Sequence, residues 1–428
     1  MNTPRLVIID GVRTPFCKMG SELARLGADE LGRIAAQALL TRTGVNPAVI
    51  DEVIFGCVGQ PADAANVARV IALRAGVPEH VPAFTVHRNC ASGMEAFTQA
   101  YEKMCAGRGE VFLVGGTESM SKYPLQYPEA AAAKFAKLGR AKSLGQRLGE
   151  FLKFRPSDLF NPRVTLLLGL TDPVCALNMG ETAEVLAREH EICREKQDAF
   201  AVESHARALA ARDKLAEEIC PVYPPWTREV VTNDNGPRKD STPEALAKLR
   251  PVFDKRNGTV TAGNSSQITD GAVALLVMTE QKAAQLGLSP IGALTGYAYA
   301  GCDPQRMGLG PVFAMARAEE QLGMTLDHAD LIEINEAFAA QVLACLRCLK
   351  SDEFARKFLK RERHLGKIER DRLNVNGGAI ALGHPVGATG ARLILTSLKE
   401  LARRDQKRAL VSLCVGGGQG AAIWLERM

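Results

Sequence analysis

The sequence predicts an α/β fold made of two similar halves, with a largely helical segment inserted into the first. Three observations lead there. Short apolar runs bounded by Gly, Asp or Asn alternate with amphipathic stretches, the pattern of helices packed on sheets. Two distant stretches follow the same series of strand, small-residue turn, helix, strand and glycine cluster: TVHRNCASGMEAFTQAYEKMCAGRGEVFLVGG and, at the C-terminal end, NVNGGAIALGHPVGATGARLILTSLKELARRDQKRALVSLCVGGG. Between them, the region from about Lys122 to Arg250 breaks the alternation and is rich in Lys, Arg, Ala and Pro. Taken alone, the repeat also fits two unrelated α/β units that share common turns.

Leu6 to Asp10, Val53 to Phe55 and Val111 to Val114 read as strands. Ala28 to Thr43 reads as a helix because Leu31, Ile34, Ala35, Ala38 and Leu39 recur at helical spacing. Met94, Phe97, Tyr101 and Met104 repeat that spacing, and Ile394, Leu398 and Leu401 give the C-terminal copy its buried stripe. The chain therefore divides into a first part of the N-terminal half (1–121), an inserted loop domain (122–250), the completion of that half (251–285) and a C-terminal half (286–428). Inside the insert, Phe135, Leu138, Leu148, Phe151 and Leu152 are expected on one helix face, beside Lys134, Lys137, Arg140, Lys142 and Arg147. Such a basic amphipathic helix suits a membrane surface or a partner, and equally a helix packed on its own domain. A second insert, Ser351 to Arg372, is densely charged and expected to face solvent.

With 428 residues, the chain exceeds what one hydrophobic core organises, and 46% apolar with 24% charged residues excludes wholesale disorder. A net charge of +5 gives no case for nucleic-acid binding. Eleven irregularly spaced cysteines, an odd number, suit a reducing compartment rather than a disulfide framework. The N-terminus enters a β-branched run without the features of a secretory leader, and the run from Val164 to Leu170 is far short of the ~20 residues that span a bilayer. A soluble cytoplasmic protein is expected, with peripheral membrane contact left open.

Cys90, in VHRNCASGMEAF, stands where a strand gives way to a helix. A helix N-terminus brings partial positive charge and free N–H groups to the sulfur, which favours the thiolate and provides donors for an oxyanion. An inert core cysteine is the alternative. His384, in GGAIALGHPVGATGAR, is set among glycines and a proline, an unusual setting for a core histidine, and is the candidate base for Cys90. If the halves pack about a pseudo-twofold axis, their equivalent turns converge. Cys414 ends what reads as the last strand before three glycines that are expected to expose its sulfur, making it a second reactive cysteine. Asn335, in LIEINEAFAAQ, lies at a strand-to-helix junction, where capping the helix is the simpler role. Gly416 to Ala421 loosely resembles a dinucleotide fingerprint, but only seven residues follow it. Cys345 and Cys348 form a CxxC without a second ligand pair, so no metal site is expected.

Together NCASGMEAF, GGTESMS, TAGNSSQITDGA, INEAFAAQ, NVNGGAIALGHPVGATGAR and LCVGGGQGAA resemble the thiolase family over nearly the whole chain. The resemblance implies the thiolase fold, with duplicated halves layered α-β-α-β-α. It implies that Cys90 accepts the acyl group, that His384 activates it and later helps to bind the thioester oxygen, and that Cys414 exchanges the α-proton. Asn335 would position a water in one oxyanion hole with His384. The N–H groups of Cys90 and Gly416 would form the other. Ser266, Phe253 and Phe338 would line the pantetheine and acyl channel, with coenzyme A as substrate and no permanently bound cofactor.

Within the family, GRAKSLGQRLGEFLKF, VVTNDNGPRKDST and the insert near Phe354 to Phe358 are closer to the β subunits of fatty-acid oxidation (trifunctional) complexes. That likeness implies cleavage of 3-oxoacyl-CoA in β-oxidation, a homodimer or homotetramer, and a possible enoyl-CoA hydratase/3-hydroxyacyl-CoA dehydrogenase partner. Two positions depart: Asn335 stands where that branch often has histidine, and Asn178 where many short-chain members have it. The alternatives are an acetoacetyl-CoA thiolase running the condensation and a non-enzymatic lipid or CoA carrier. A ketosynthase, usually built on two histidines and one cysteine, fits less well.

Overall fold

The computed structural model describes residues 4–428, so the first three positions of the N-terminal segment lie outside it. Nine strands form its sheet framework: β1 (Leu6–Arg13), β2 (Glu52–Gly56), β3 (Ala83–Val86), β4 (Val111–Ser119), β5 (Thr269–Thr279), β6 (Gly292–Gly301), β7 (Leu331–Ile334), β8 (Arg408–Val415) and β9 (Gln419–Arg427). A two-residue strand, Cys17–Lys18, adds to the end of β5, and the order is β7-β8-β9-β6-β1-β5-β4-β2-β3. The sequence strands are all present but longer than expected. The strand carrying Cys414 is not the last, because the glycines after it turn the chain back into β9.

The two halves share one topology. In the first, β1 runs antiparallel to β5 and β5 antiparallel to β4, with β2 and β3 parallel beyond. In the second, β6, β9, β8 and β7 repeat those directions, and a parallel bridge from Ile332 to Leu373 stands in for a fifth strand. Among the described residues, only two residue pairs, Val7 with Ala293 and Ile8 with Gly292, join the units into one sheet.

Five layers result. Helix α1 (Ala28–Thr43) covers the outer face of the first unit with Leu31, Ala35 and Leu39 and ends at Gly44, whose φ of 64° supplies the left-handed cap. Helices α2 (Ser92–Cys105) and, from the C-terminal half, α5 (Val386–Arg403) lie between the units. There Met94, Phe97, Leu393, Ile394 and Leu398 meet Phe112 and Val114 on one side and Val411, Leu413 and Ile423 on the other. Helices α3 (Gly310–Leu322) and α4 (Ala339–Leu349) cover the outer face of the second unit. Each fully buried Leu, Ile or Phe contributes roughly 1.5–3 kcal/mol, so the doubly covered α2/α5 layer is the heart of the fold. Small residues let its elements touch backbone to backbone. A Cβ on Gly93 would lie 2.8 Å from the Ala391 nitrogen, and one on Gly116 only 2.0 Å from the Gly387 carbonyl oxygen.

The chain between β4 and β5 consists of helices and loops with one small strand pair, Leu125–Gln126 with Arg163–Val164. Its proposed single basic helix is instead two, Glu129–Arg140 and Leu144–Phe151, because Ser143 and Gln146 form a capping box that starts the second. Phe135 packs against Tyr127 and Phe154, while Leu144, Leu148, Phe151 and Leu152 remain exposed. The charged stretch Ser351 to Arg372 is only partly solvated, since Phe354, Leu365 and Ile368 are buried. The insert is tied to β1 by Arg13, fully buried and paired through Nε with Glu218 at 2.8 Å and through both terminal nitrogens with Asp234 at 2.7 and 2.8 Å. No helix of the described residues is long and apolar enough to cross a membrane.

Candidate active site

The N-termini of α2 and α5 carry the two turns picked out from the sequence. After β3, Asn89 adopts a φ of 42°, which asparagine tolerates better than most residues. Ser92 closes the turn, accepting from the Arg88 N–H at 2.9 Å and donating to the Asn89 carbonyl at 2.7 Å. Asn89 Nδ2 donates to the Gly416 carbonyl at 2.8 Å, tying the Cys90 turn to the glycine turn after β8. Cys90 is half-buried against Met120, Leu166 and Val386. Burial pushes its thiol up to about 11, opposed by the N–H groups of Gly416 and of Cys90 itself, while the Glu118 carboxylate adds to the rise. This corrects the sequence expectation: desolvation outweighs the helix terminus, and the sulfur rests as a thiol.

His384 precedes α5 and is almost wholly buried. Gly383 before it has a φ of 99°, and a Cβ there would come within 2.3 Å of Thr269 Oγ1, so glycine is required twice over. Thr269 Oγ1 accepts the His384 backbone N–H at 3.1 Å. The imidazole's protonation follows from its partners. Thr389 spends its only proton on the Pro385 carbonyl at 3.0 Å, so at 2.7 Å it accepts from Nδ1–H of His384. That leaves the Nε2 lone pair for chemistry, with Asn335 Nδ2 at 3.4 Å as a weak donor to it. Burial and, after it, the charge of Arg392 hold the imidazole down to about 3.

Asn335 does not cap a helix, because α4 starts only at Ala339. Its N–H donates to the Ser412 carbonyl at 2.9 Å, its side chain reaches His384, and its buried Oδ1 has no partner among the described residues. Cys414 is also corrected. It is 1% exposed rather than open, it lies in a core with Met179, Phe253, Val260, Met307 and Phe338, and its thiol is held well above the usual range by burial and by neighbouring Cys90. Phe253 and Phe338 meet edge to face at 6.0 Å, and Ser266 anchors to the Ala337 carbonyl through its N–H at 2.9 Å. A Cβ on Gly416 would lie 3.4 Å from Met179 Sδ and 3.7 Å from Asn89 Nδ2. The chain thus joins Asn335 to His384, sets Cys90 against the Gly416 N–H, Cys414 and Val386 of the His384 turn, and places the Phe253–Phe338 pair beside Cys414. Asn178, the departure in the insert, caps the helix Met179–Glu189 by accepting from the Gly180 N–H at 3.0 Å.

Sequence reasoning passed over Glu118, which locks this arrangement. Fully buried at the end of β4, its carboxylate accepts from the N–H groups of Val58 at 3.1 Å, Gly59 at 2.8 Å and Gly387 at 2.9 Å, and from Tyr123 Oη at 3.0 Å. It binds the first turn of α5 to the loop beside Cys90. A lone acid in the otherwise apolar and small run VFLVGGTES is the signal that marks it. A cavity of about 750 Å³ between α1 and the loop at Pro221 to Trp226 lies across the first sheet unit from these residues.

Known proteins agree with this architecture. A family model described as "Thiolase, N-terminal domain" matches residues 6–281, and one described as "Thiolase, C-terminal domain" matches residues 288–427. The 3-ketoacyl-CoA thiolase of Yersinia enterocolitica is 41% identical over 425 residues, covering 99% of this chain and 97% of that protein. The 3-ketoacyl-CoA thiolase of Serratia proteamaculans is 41% identical over 427 residues, with the same coverage. Among solved structures, Bacillus anthracis acetyl-CoA acetyltransferase superposes with a TM-score of 0.87 at 38% identity, covering 100% of this chain and 99% of that one. Human mitochondrial 3-ketoacyl-CoA thiolase in complex with CoA gives 0.86 at 36%, covering 100% and 98%. Its two halves, five layers and both family domains place this chain in the thiolase family.

Proposed function

We propose that the protein is a 3-ketoacyl-CoA thiolase that cleaves 3-oxoacyl-CoA with coenzyme A in fatty-acid β-oxidation, without a permanently bound cofactor. The observation that carries the reading is a neutral, buried His384 whose Nε2 meets only Asn335 Nδ2 among the described residues, on the same turn as Val386, which packs with Cys90. Its Nδ1 proton is fixed on Thr389, so His384 can only accept at Nε2. In the proposed reaction Cys90 gives its proton to Nε2 as Sγ bonds to C3 of the substrate. The C2–C3 bond then breaks with its electron pair left on C2, and Cys414 protonates that carbon to release acetyl-CoA. Coenzyme A loses its thiol proton to the Cys414 thiolate and attacks the acyl group on Cys90. The departing Cys90 thiolate recovers the proton held by His384. The N–H groups of Cys90 and Gly416 suit one oxyanion hole, and His384 with a water held by Asn335 suits the other. Ser266, Phe253 and Phe338 border the channel for the pantetheine and acyl chain.

A chain-length series of kcat/KM for CoA-dependent cleavage tests this reading. Turnover that rises beyond four carbons is expected. Activity confined to acetoacetyl-CoA would favour the acetyl-CoA acetyltransferase alternative, which the Bacillus anthracis neighbour supports. The likeness to fatty-acid oxidation complexes further supports a cytoplasmic homodimer or homotetramer and a hydratase/dehydrogenase partner. The exposed Leu144, Leu148, Phe151 and Leu152 beside Lys137, Arg140, Lys142 and Arg147 suit that partner or a membrane surface. Sedimentation with anionic liposomes that falls with salt would favour the membrane.

A further inference from the structure

Besides Glu118, a second acid is buried at this site, and no step of the proposed reaction uses it. Glu336, 1% exposed, directly follows Asn335 in the chain. Its Oε2 accepts from Ser204 Oγ at 2.6 Å and from the Ile380 N–H at 3.3 Å, and its Oε1 accepts from Asn374 Nδ2 at 2.9 Å. These donors come from three segments that meet only here. Ser204 lies on the insert helix Arg194–Ala210, and its Oγ also accepts from the Gly378 N–H at 3.1 Å. Asn374 holds the end of β7, where its Oδ1 accepts from the Ile334 N–H and its Nδ2 donates to the Ile334 carbonyl, both at 2.9 Å. Ile380 belongs to the short helix Ala379–Leu382 that leads to His384. The junction is closed to the backbone: a Cβ on Gly378 would lie 2.3 Å from the Glu336 carboxyl carbon, and one on Gly377 2.5 Å from the Ser204 carbonyl oxygen. Burying an acid is unfavourable unless its donors are complete, and an apolar side chain would fill a purely structural junction without that cost.

Asn335 and His384 are held unequally. His384 has anchors of its own, with Nδ1–H on Thr389 Oγ1 and its backbone N–H on Thr269 Oγ1 and the Gln267 carbonyl. The Asn335 side chain has only the long 3.4 Å contact to Nε2, and its Oδ1 meets no partner among the described residues. Its place therefore depends on the backbone around it: the Asn335 N–H on the Ser412 carbonyl, Ile334 clasped by Asn374, and Glu336.

We propose that Glu336 is a positioning residue that sets Asn335 against His384, and that Ser204 makes the insert part of that arrangement. The proposal rests on the reading of Asn335 and His384 as an oxyanion hole. In that reading the two holes serve different oxygens. The N–H groups of Cys90 and Gly416 take the oxygen on C3 when Sγ attacks. His384 and the water on Asn335 take the thioester oxygen when the electron pair of the broken C2–C3 bond is left on C2. A displaced Asn335 weakens the second hole and spares the first, whose turns are joined separately by Asn89 Nδ2 and the Gly416 carbonyl.

The test compares N335A, E336Q and S204A in the full-length protein by two partial reactions. One is the exchange of the methyl hydrogens of acetyl-CoA with heavy water, followed by NMR, which needs the charge on C2. The other is the exchange of isotopically labelled coenzyme A into acetyl-CoA, which needs acyl transfer to Cys90 and back. N335A should slow hydrogen exchange by about 10²–10³-fold, the size of one lost oxyanion donor. E336Q should slow it by about 10-fold or more, since a small misplacement costs up to about 10²-fold, and S204A by several-fold. In E336Q and S204A, coenzyme A exchange should stay within about twofold of the parent rate, a split that a merely structural role does not produce. Equal losses in both reactions, or unchanged hydrogen exchange in E336Q or S204A, would overturn the proposal. If E336Q does not fold, S204A decides by the same split. N335A separates the two readings: unchanged hydrogen exchange there removes the hole itself, whereas a slowed N335A beside unmoved E336Q and S204A removes only the role of Glu336.

Discussion

The turn before α2 and the turn before α5 occupy equivalent places in two duplicated halves, yet they are built for different work. The first is half-open and polar, shaped by Asn89 in a left-handed conformation and by the Ser92 hydroxyl. The second is closed, shaped by Gly383 and Thr389, and its histidine has almost no exposure. Each sits at a helix N-terminus, where electrostatics favour a thiolate and a neutral imidazole. Burial supports the second tendency and defeats the first. The resting pair is therefore a thiol at about 11 beside an imidazole at about 3, both uncharged. Proton transfer is unfavourable until the sulfur bonds to carbon, which ties activation of the nucleophile to the presence of substrate.

The comparison is broken most severely by removing either member. C90A should lower kcat by at least about 10⁴-fold through loss of the covalent route, and H384N by about 10²–10⁴-fold through loss of the base. Equal circular dichroism spectra for parent and variants would show that chemistry, not folding, is lost. The contact that unites the turns comes next. G116A drives a Cβ into the Gly387 carbonyl, where only backbone can yield, and should destabilise the fold by roughly 1–3 kcal/mol or more in denaturant titration. An unchanged midpoint would mean that the two units tolerate separation.

Smaller effects sharpen the contrast. In E118Q the carboxylate that disfavours the Cys90 thiolate is gone, so alkylation of Cys90 should shift to lower pH even as turnover falls. A shift to higher pH would show that lost positioning outweighs lost charge. The smallest effect is on stability. His384 and His205 are held down to about 3 and about 4, chiefly by burial, below an unfolded value near about 6.5. Between those limits the unfolded chain binds more protons than the folded one, so stability rises with pH there and the Tm should drop as pH falls through that window. A Tm that is flat across it would mean that the folded protein admits those protons.

Much of this was legible in the chain itself. The repeat flanking Cys90 and His384 predicted two α/β units, because glycine-rich turns before apolar helices leave the same mark in both copies. Helix 28–43 was read to its ends, since its buried positions keep strict helical spacing up to Gly44. Less visible was whatever depends on distant partners. Cys414 looked open beside three glycines, but β9 returns against it and Phe338 closes over it, contacts no local pattern encodes. The basic segment of the insert read as one helix because periodicity ignores the capping box at Ser143. Glu118 escaped notice for a related reason. A charge inside an apolar run announces burial, while the donors that give it a role come from positions as distant along the chain as Val58 and Gly387.

The most direct test of the central claim is mass spectrometry of the protein after incubation with a 3-oxoacyl-CoA in the absence of free coenzyme A. An acyl group shorter than the substrate by two carbons should be found on Cys90, persist in C414A supplied with a preformed acyl-CoA donor, and disappear when coenzyme A is added. An unmodified Cys90, or an adduct on Cys414 instead, would contradict the assignment of the half-open turn to the nucleophile and the closed one to the base.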